Sequence, residues 1–130
     1  MGQPKEGYFL EIPTIGVKEK IGESKGDPVW FAGSRDLDQN VVIAGHRFLY
    51  SDPFSPPFFF LDRLKESELI FLEYGGERYT YSVLKNFEAS KRDVWIKKGY
   101  SFPSITLYTC TPIYNPISRL VVVGRLVSIE

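Results

Sequence analysis

The stretch "ELIFLEYGGERYTYSVLKNF", Glu68–Phe87, decides the fold class. Two runs rich in strand-forming residues flank Gly75-Gly76. Paired glycines adopt the positive φ angles of a primed two-residue turn without steric penalty, so the stretch predicts a β-hairpin. In its second arm, alternation puts Tyr79, Tyr81 and Val83 on one face and Arg78, Thr80 and Ser82 on the other.

The strand signal continues in both directions. "YFLEIP" (Tyr8–Pro13) is a short apolar run closed by proline, and "VKEKI" alternates with Val17, Glu19 and Ile21 on one side. "NVVIAGH" (Asn40–His46) is continuously apolar, as expected of a strand covered on both faces. "SITLYTC" (Ser104–Cys110) and "SRLVVVGRLVSIE" form another strand pair around "TPIYNPI". Pro112 has no N–H to donate and stops the ladder after Cys110. Helical signal is thin. "DPVWFAGS" reads as one short helix, capped by Asp27 with Pro28 at its first position. "PPFFFLDRLKES" reads as a second, with Pro57 near its start, and "KRDVWIKKG" is ambiguous. Several short strands at fairly even spacing predict a mainly β protein, a closed or nearly closed barrel with one or two short helices.

At 130 residues the chain is expected to fold as one domain, 8–130, behind a short tail, 1–7. Lys and Arg number 16 and so do Asp and Glu, and no basic run suggests a nucleic-acid footprint. A lone cysteine rules out an internal disulfide. No apolar run approaches the ~18 residues of a membrane-spanning helix. The N-terminus "MGQPKEGYF" lacks the charged-then-apolar order of a signal peptide.

Chemistry centres on the sole histidine and the sole cysteine. His46 ends one buried-looking strand and Cys110 ends another. A thiol attacks a carbonyl carbon as thiolate, and a nearby imidazole supplies the acid/base or ion-pair partner. Arg119 is the third candidate. If the hairpin turn is centred between Tyr114 and Asn115, Cys110 and Arg119 oppose each other, with Cβ atoms roughly 5 Å apart. A guanidinium there lowers a thiol pKa or donates to an oxyanion. Each residue also has a plain structural reading: core cysteine, satisfied strand-end histidine, solvated arginine. The conjunction favours chemistry. A metal site is poorly supplied, since one Cys and one His fall short of a zinc shell. Asp62, Glu66 and Glu68 read as a solvated face, and calcium dependence stays open. "EYGGERY" is a turn, not a phosphate loop.

The motifs resemble the sortase family. "TLYTC" is similar to its signature Thr-Leu-x-Thr-Cys, and "NVVIAGHR" resembles the segment that carries its histidine. "RLVVVGRL" resembles the closing strand that opens on its arginine, and "EIPTIGVKEKI" its first strands. "FFFLDRLKESELIFLEYGGERYTYSV" follows its order of a short helix and then paired strands. The match runs in order from about Tyr8 to the end. The resemblance implies an eight-stranded sortase barrel and a cysteine transpeptidase. Such an enzyme cuts a Leu-Pro-x-Thr-Gly-like C-terminal sorting signal and joins it to an amine of a cell-wall precursor or pilin lysine. It implies Cys110 as nucleophile, His46 as acid/base and Arg119 as substrate and oxyanion ligand. It further implies Ala44, Tyr108, Thr109 and Thr111 as peptide-groove lining. It implies no cofactor, no nucleic-acid partner and an extracytoplasmic, cell-surface location, with membrane contact only through an anchor absent from this chain. "GHR" and "CTP" look closer to the pilin-polymerising (class C), D and E types than to class A. The competing reading is a catalytically silent barrel that binds peptide or cell-wall material.

Overall fold

A computed structural model of the chain describes residues 7–46, 57–90, 97–109 and 118–130. Its strands are β1 (Tyr8–Ile12), β2 (Val17–Lys20), β3 (Val29–Arg35), β4 (Asn40–Gly45), β5 (Leu69–Tyr74), β6 (Glu77–Ser90), β7 (Ser104–Thr109) and β8 (Ser118–Ile129). They form one eight-stranded sheet in the order β2-β1-β5-β6-β8-β7-β4-β3. The two end strands meet through one residue. Gly22 N–H donates to the Val29 carbonyl at 2.8 Å, and Phe31 N–H donates to the Gly22 carbonyl at 3.1 Å. This bridge brings the sheet close to a full barrel.

The diagnostic hairpin forms as expected. Gly75 and Gly76 have φ of 63° and 83°, and β5 pairs with β6 from Tyr74↔Glu77 to Leu69↔Ser82. Ile70, Leu72, Tyr81 and Val83 point into the barrel and are buried. Thr80 is buried too, because the β6–β8 register shifts between Thr80 and Tyr81 and disturbs the alternation. β6 also runs past Phe87 to Ser90, its last residues pairing with the start of β8. The interior is a single apolar cluster that includes Leu10, Ile12, Ile43, Ile105, Leu107 and Val122. Each such side chain stabilises the fold by about 1.5–3 kcal/mol.

β4 and β7 run parallel and are buried at every position. Their outward residues are covered by a second cluster, which contains Trp30, Val42, Ala44, Ala89, Tyr108, Val121 and Val123. Asn40 anchors the pair at its beginning. Its Oδ1 accepts from Ser104 Oγ at 2.9 Å and Thr106 Oγ1 at 3.4 Å, and its Nδ2 donates to the Lys97 carbonyl at 3.3 Å.

Both expected helices are corrected. "DPVWFAGS" contributes β3 instead, because Val29, Trp30 and Phe31 pair with Gly45, Ala44 and Ile43 of β4. Asp27 caps backbone, but behind it: its Oδ2 accepts from Glu23 N–H at 3.0 Å and Ser24 N–H at 3.2 Å. "PPFFFLDRLKES" shrinks to one 3-10 turn, Leu61–Arg63. Its buried residues are Phe58, Leu61 and Leu64, a spacing of three that suits three residues per turn. Asn86 Nδ2 donates to the Leu61, Asp62 and Leu64 carbonyls at 3.4, 3.0 and 3.1 Å and pins the turn to β6. A second 3-10 turn, Pro13–Ile15, joins β1 to β2. Most of "KRDVWIKKG" and residues 1–6 of the tail lie outside the described residues.

Candidate active site

The outer face of β4, β7 and β8 carries the candidate site. β4 and β7 pair in parallel as Ala44↔Tyr108, and β7 pairs with β8 as Tyr108↔Val121. These three residues therefore form one row across three strands, on the outward side. His46 lies two residues beyond Ala44, and Arg119 two residues before Val121. Both thus belong to the next position along that face.

His46 is held on several sides. Its N–H donates to the Pro28 carbonyl at 3.2 Å, and its carbonyl accepts from Phe58 N–H at 3.0 Å. Its ring lies 5.0 Å from the Trp30 ring, tilted at 52°. Its Nε2 lies 2.8 Å from the Lys25 carbonyl oxygen, within hydrogen-bond distance. Half-buried Arg119 sits across from Ala89 of β6, its guanidinium carbon 4.8 Å from the centre of the Tyr108 ring. Its Nε is buried and has no hydrogen-bond partner among the described residues. A buried cationic donor without a partner is costly.

Three of the residues expected to line a groove are described. Ala44 is fully buried and Tyr108 is 6 % exposed. Lys97 Nζ also lies 5.6 Å from the centre of the Tyr108 ring. Thr109 is fully buried, and its Oγ1 accepts from Leu120 N–H at 3.0 Å. Thr109 thus props the end of β7 against β8 rather than presenting its hydroxyl to a groove. Cys110 and Thr111 lie outside the described residues.

Sequence reasoning missed Trp30, which it placed in a helix, and the carbonyl of Lys25. A strand reading of "VWF" would have found the first. A main-chain carbonyl leaves no residue-type signal, so the second was not findable. No group of three or more His, Cys, Asp or Glu that could hold a metal occurs among the described residues. Among them, no helix is long and apolar enough to cross a membrane.

One nearly closed eight-stranded sheet, with an imidazole and a guanidinium flanking one outer row of β4, β7 and β8, defines a barrel of the sortase type. A family model for the sortase domain matches residues 10–127. The chain belongs to the sortase family. Its fold is similar to that of Listeria monocytogenes sortase A, with a TM-score of 0.79 and 21 % identity over 95 % of this chain and 88 % of that one. Sortase E1 of Streptomyces coelicolor, solved with a tripeptide in its active site, matches at 0.78 and 23 % identity, covering 96 % of this chain and 90 % of that one. The pilus-related sortase C of Group B Streptococcus matches at 0.81 and 22 % identity, covering 95 % and 68 %. Three sortase classes thus share this fold almost equally, so the expected lean away from class A gains nothing from it. No curated protein matches the chain by sequence.

Proposed function

We propose that this chain is a cysteine transpeptidase that cleaves a Leu-Pro-x-Thr-Gly-like C-terminal sorting signal and transfers it to an amine. Cys110 is the nucleophile: its thiolate attacks the carbonyl carbon of the scissile peptide bond. Arg119 donates to the oxyanion that forms. His46 protonates the departing amine as the C–N bond breaks, leaving a thioester on Cys110. The incoming amine attacks the thioester and gives a proton to His46 as the C–S bond breaks, which leaves a new amide and the Cys110 thiolate. The acceptor is a cell-wall precursor amine or a pilin lysine. The enzyme works at the cell surface and needs no cofactor.

One observation carries the reading. The β4–β7 and β7–β8 ladders set Ala44, Tyr108 and Val121 in one row. On that face His46 lies two residues beyond Ala44 and Arg119 two residues before Val121, so an imidazole and a guanidinium flank the row.

A quenched sorting-signal peptide library, with and without an added amine, tests the proposal. The expected result is cleavage, an acyl adduct mapped to Cys110 by intact mass, and amine-dependent product. No cleavage and no adduct with any peptide would leave a peptide-binding barrel as the better reading.

A further inference from the structure

The connection between β2 and β3, residues 22–28, is more heavily braced than a surface loop needs to be. Asp27 Oδ2 accepts from the N–H groups of Glu23 and Ser24 at 3.0 and 3.2 Å. Asp27 N–H donates to the Ser24 carbonyl at 3.0 Å, and Gly26 N–H donates to Ser24 Oγ at 3.3 Å. Glu23 takes both terminal nitrogens of Arg35, at 2.8 and 3.1 Å. Gly22 is required beside this turn, because a Cβ there would stand 2.1 Å from the Asp27 carboxylate. All of this bracing fixes one group that points at the site: the Lys25 carbonyl, 2.8 Å from His46 Nε2.

A carbonyl oxygen only accepts, so the ring nitrogen facing it must carry the hydrogen. We propose that the Lys25 carbonyl locks neutral His46 as its Nε2–H tautomer, leaving Nδ1 as the nitrogen that exchanges protons, with Asp27 as the positioning residue. The inference rests on the transpeptidase reading for its purpose. The proton then cycles through one atom. Nδ1 accepts a proton from the incoming amine, the imidazolium keeps its bond to Lys25, and Nδ1 gives the proton to the next leaving amine. That bond strengthens when the ring is charged, since a charge-assisted hydrogen bond is the stronger kind. Trp30 supports the ring and limits its rotation.

His46 is the only histidine, so a long-range proton–nitrogen spectrum of the labelled protein shows a single imidazole. Above the pH where that ring titrates, the wild type is expected to give the Nε2–H pattern alone. Asp27→Ala should give a mixture of both tautomers, with kcat on a signal peptide lowered about tenfold and KM unchanged. Asp27→Asn keeps a side-chain acceptor and should restore the wild-type spectrum. A wild-type Nδ1–H pattern overturns the proposal, with no need for any variant to fold. So does a folded Asp27→Ala with a pure Nε2–H spectrum and normal kcat. The two readings fail separately. A clean Nε2–H spectrum without turnover on any peptide sinks the transpeptidase, whereas normal turnover with an Nδ1–H spectrum sinks only the tautomer lock.

Discussion

The β5–β6 hairpin and the β4–β7–β8 strip belong to one sheet but hold their register by different means. In the hairpin one face is core and the other meets solvent: Ile70 and Leu72 are fully buried, while Leu69 is 40 % exposed. A slip by one residue would turn the apolar set outward, so the apolar pattern and the Gly75-Gly76 turn together fix the pairing. In β4 and β7 every residue is buried, on both faces. Slippage there exchanges one buried set for another, so hydrophobic pattern says little about register. Buried polar groups do that work instead. Asn40 binds Ser104 and Thr106 at one end of the strip, and Thr109 binds Leu120 N–H at the other. A strip pinned at both ends is a stiff mount, and the candidate site stands on it.

The largest expected effect is at the working end of that strip. Cys110→Ala should abolish both turnover and the acyl adduct; retained turnover would remove Cys110 from the proposed role. Arg119→Lys keeps the charge but loses the planar fork. It should lower kcat/KM by about 10²-fold, as loss of an oxyanion donor does. An unchanged rate would reduce Arg119 to packing against Tyr108.

The register argument itself is tested by denaturant unfolding. Asn40→Ala leaves two buried hydroxyls without their acceptor and should destabilise by about 2 kcal/mol. On the hairpin, Leu69→Ala should cost less than about 0.5 kcal/mol. Similar losses at both positions would erase the distinction between the two regions. An effect of opposite sign lies inside the barrel, where the Tyr81 hydroxyl has no hydrogen-bond partner among the described residues. Tyr81→Phe should stabilise by about 0.5–1 kcal/mol. Burial pushes the Tyr81 phenol well above its usual value, so the folded state favours the neutral ring. That contribution is complete below about pH 10, where the unfolded phenol titrates, and declines as pH rises further. Tyr81→Phe should flatten the alkaline decline, and an unaltered pH curve would place its cause elsewhere.

Most of the fold was legible where a local rule and the global pairing agree. Gly75-Gly76 dictated its turn, and the continuous apolar run of β4 announced a strand covered on both sides. β7 and β8 pair from Ser104↔Arg125 to Tyr108↔Val121, and the pairing expected of Cys110 with Arg119 lies outside the described residues. β3 was illegible because Asp27-Pro28 satisfies a helix-start rule. The partners that make Val29–Arg35 a strand lie in β4 and cannot be read from that stretch. The candidate site was legible as residue types, His46 and Arg119 at strand ends. Its supports were not, because the Lys25 carbonyl and the burial of Thr109 arise only from tertiary packing.

The bridge at Gly22 joins the barrel's two end strands, and it opens the same connection that presents Lys25 to His46. The mechanical seam of the barrel and the brace of its histidine are therefore one structure. Amide exchange at Gly22 and Phe31, whose N–H groups close the seam, would then report how often the imidazole is released. Breathing of the barrel wall becomes a clock for the readiness of the site.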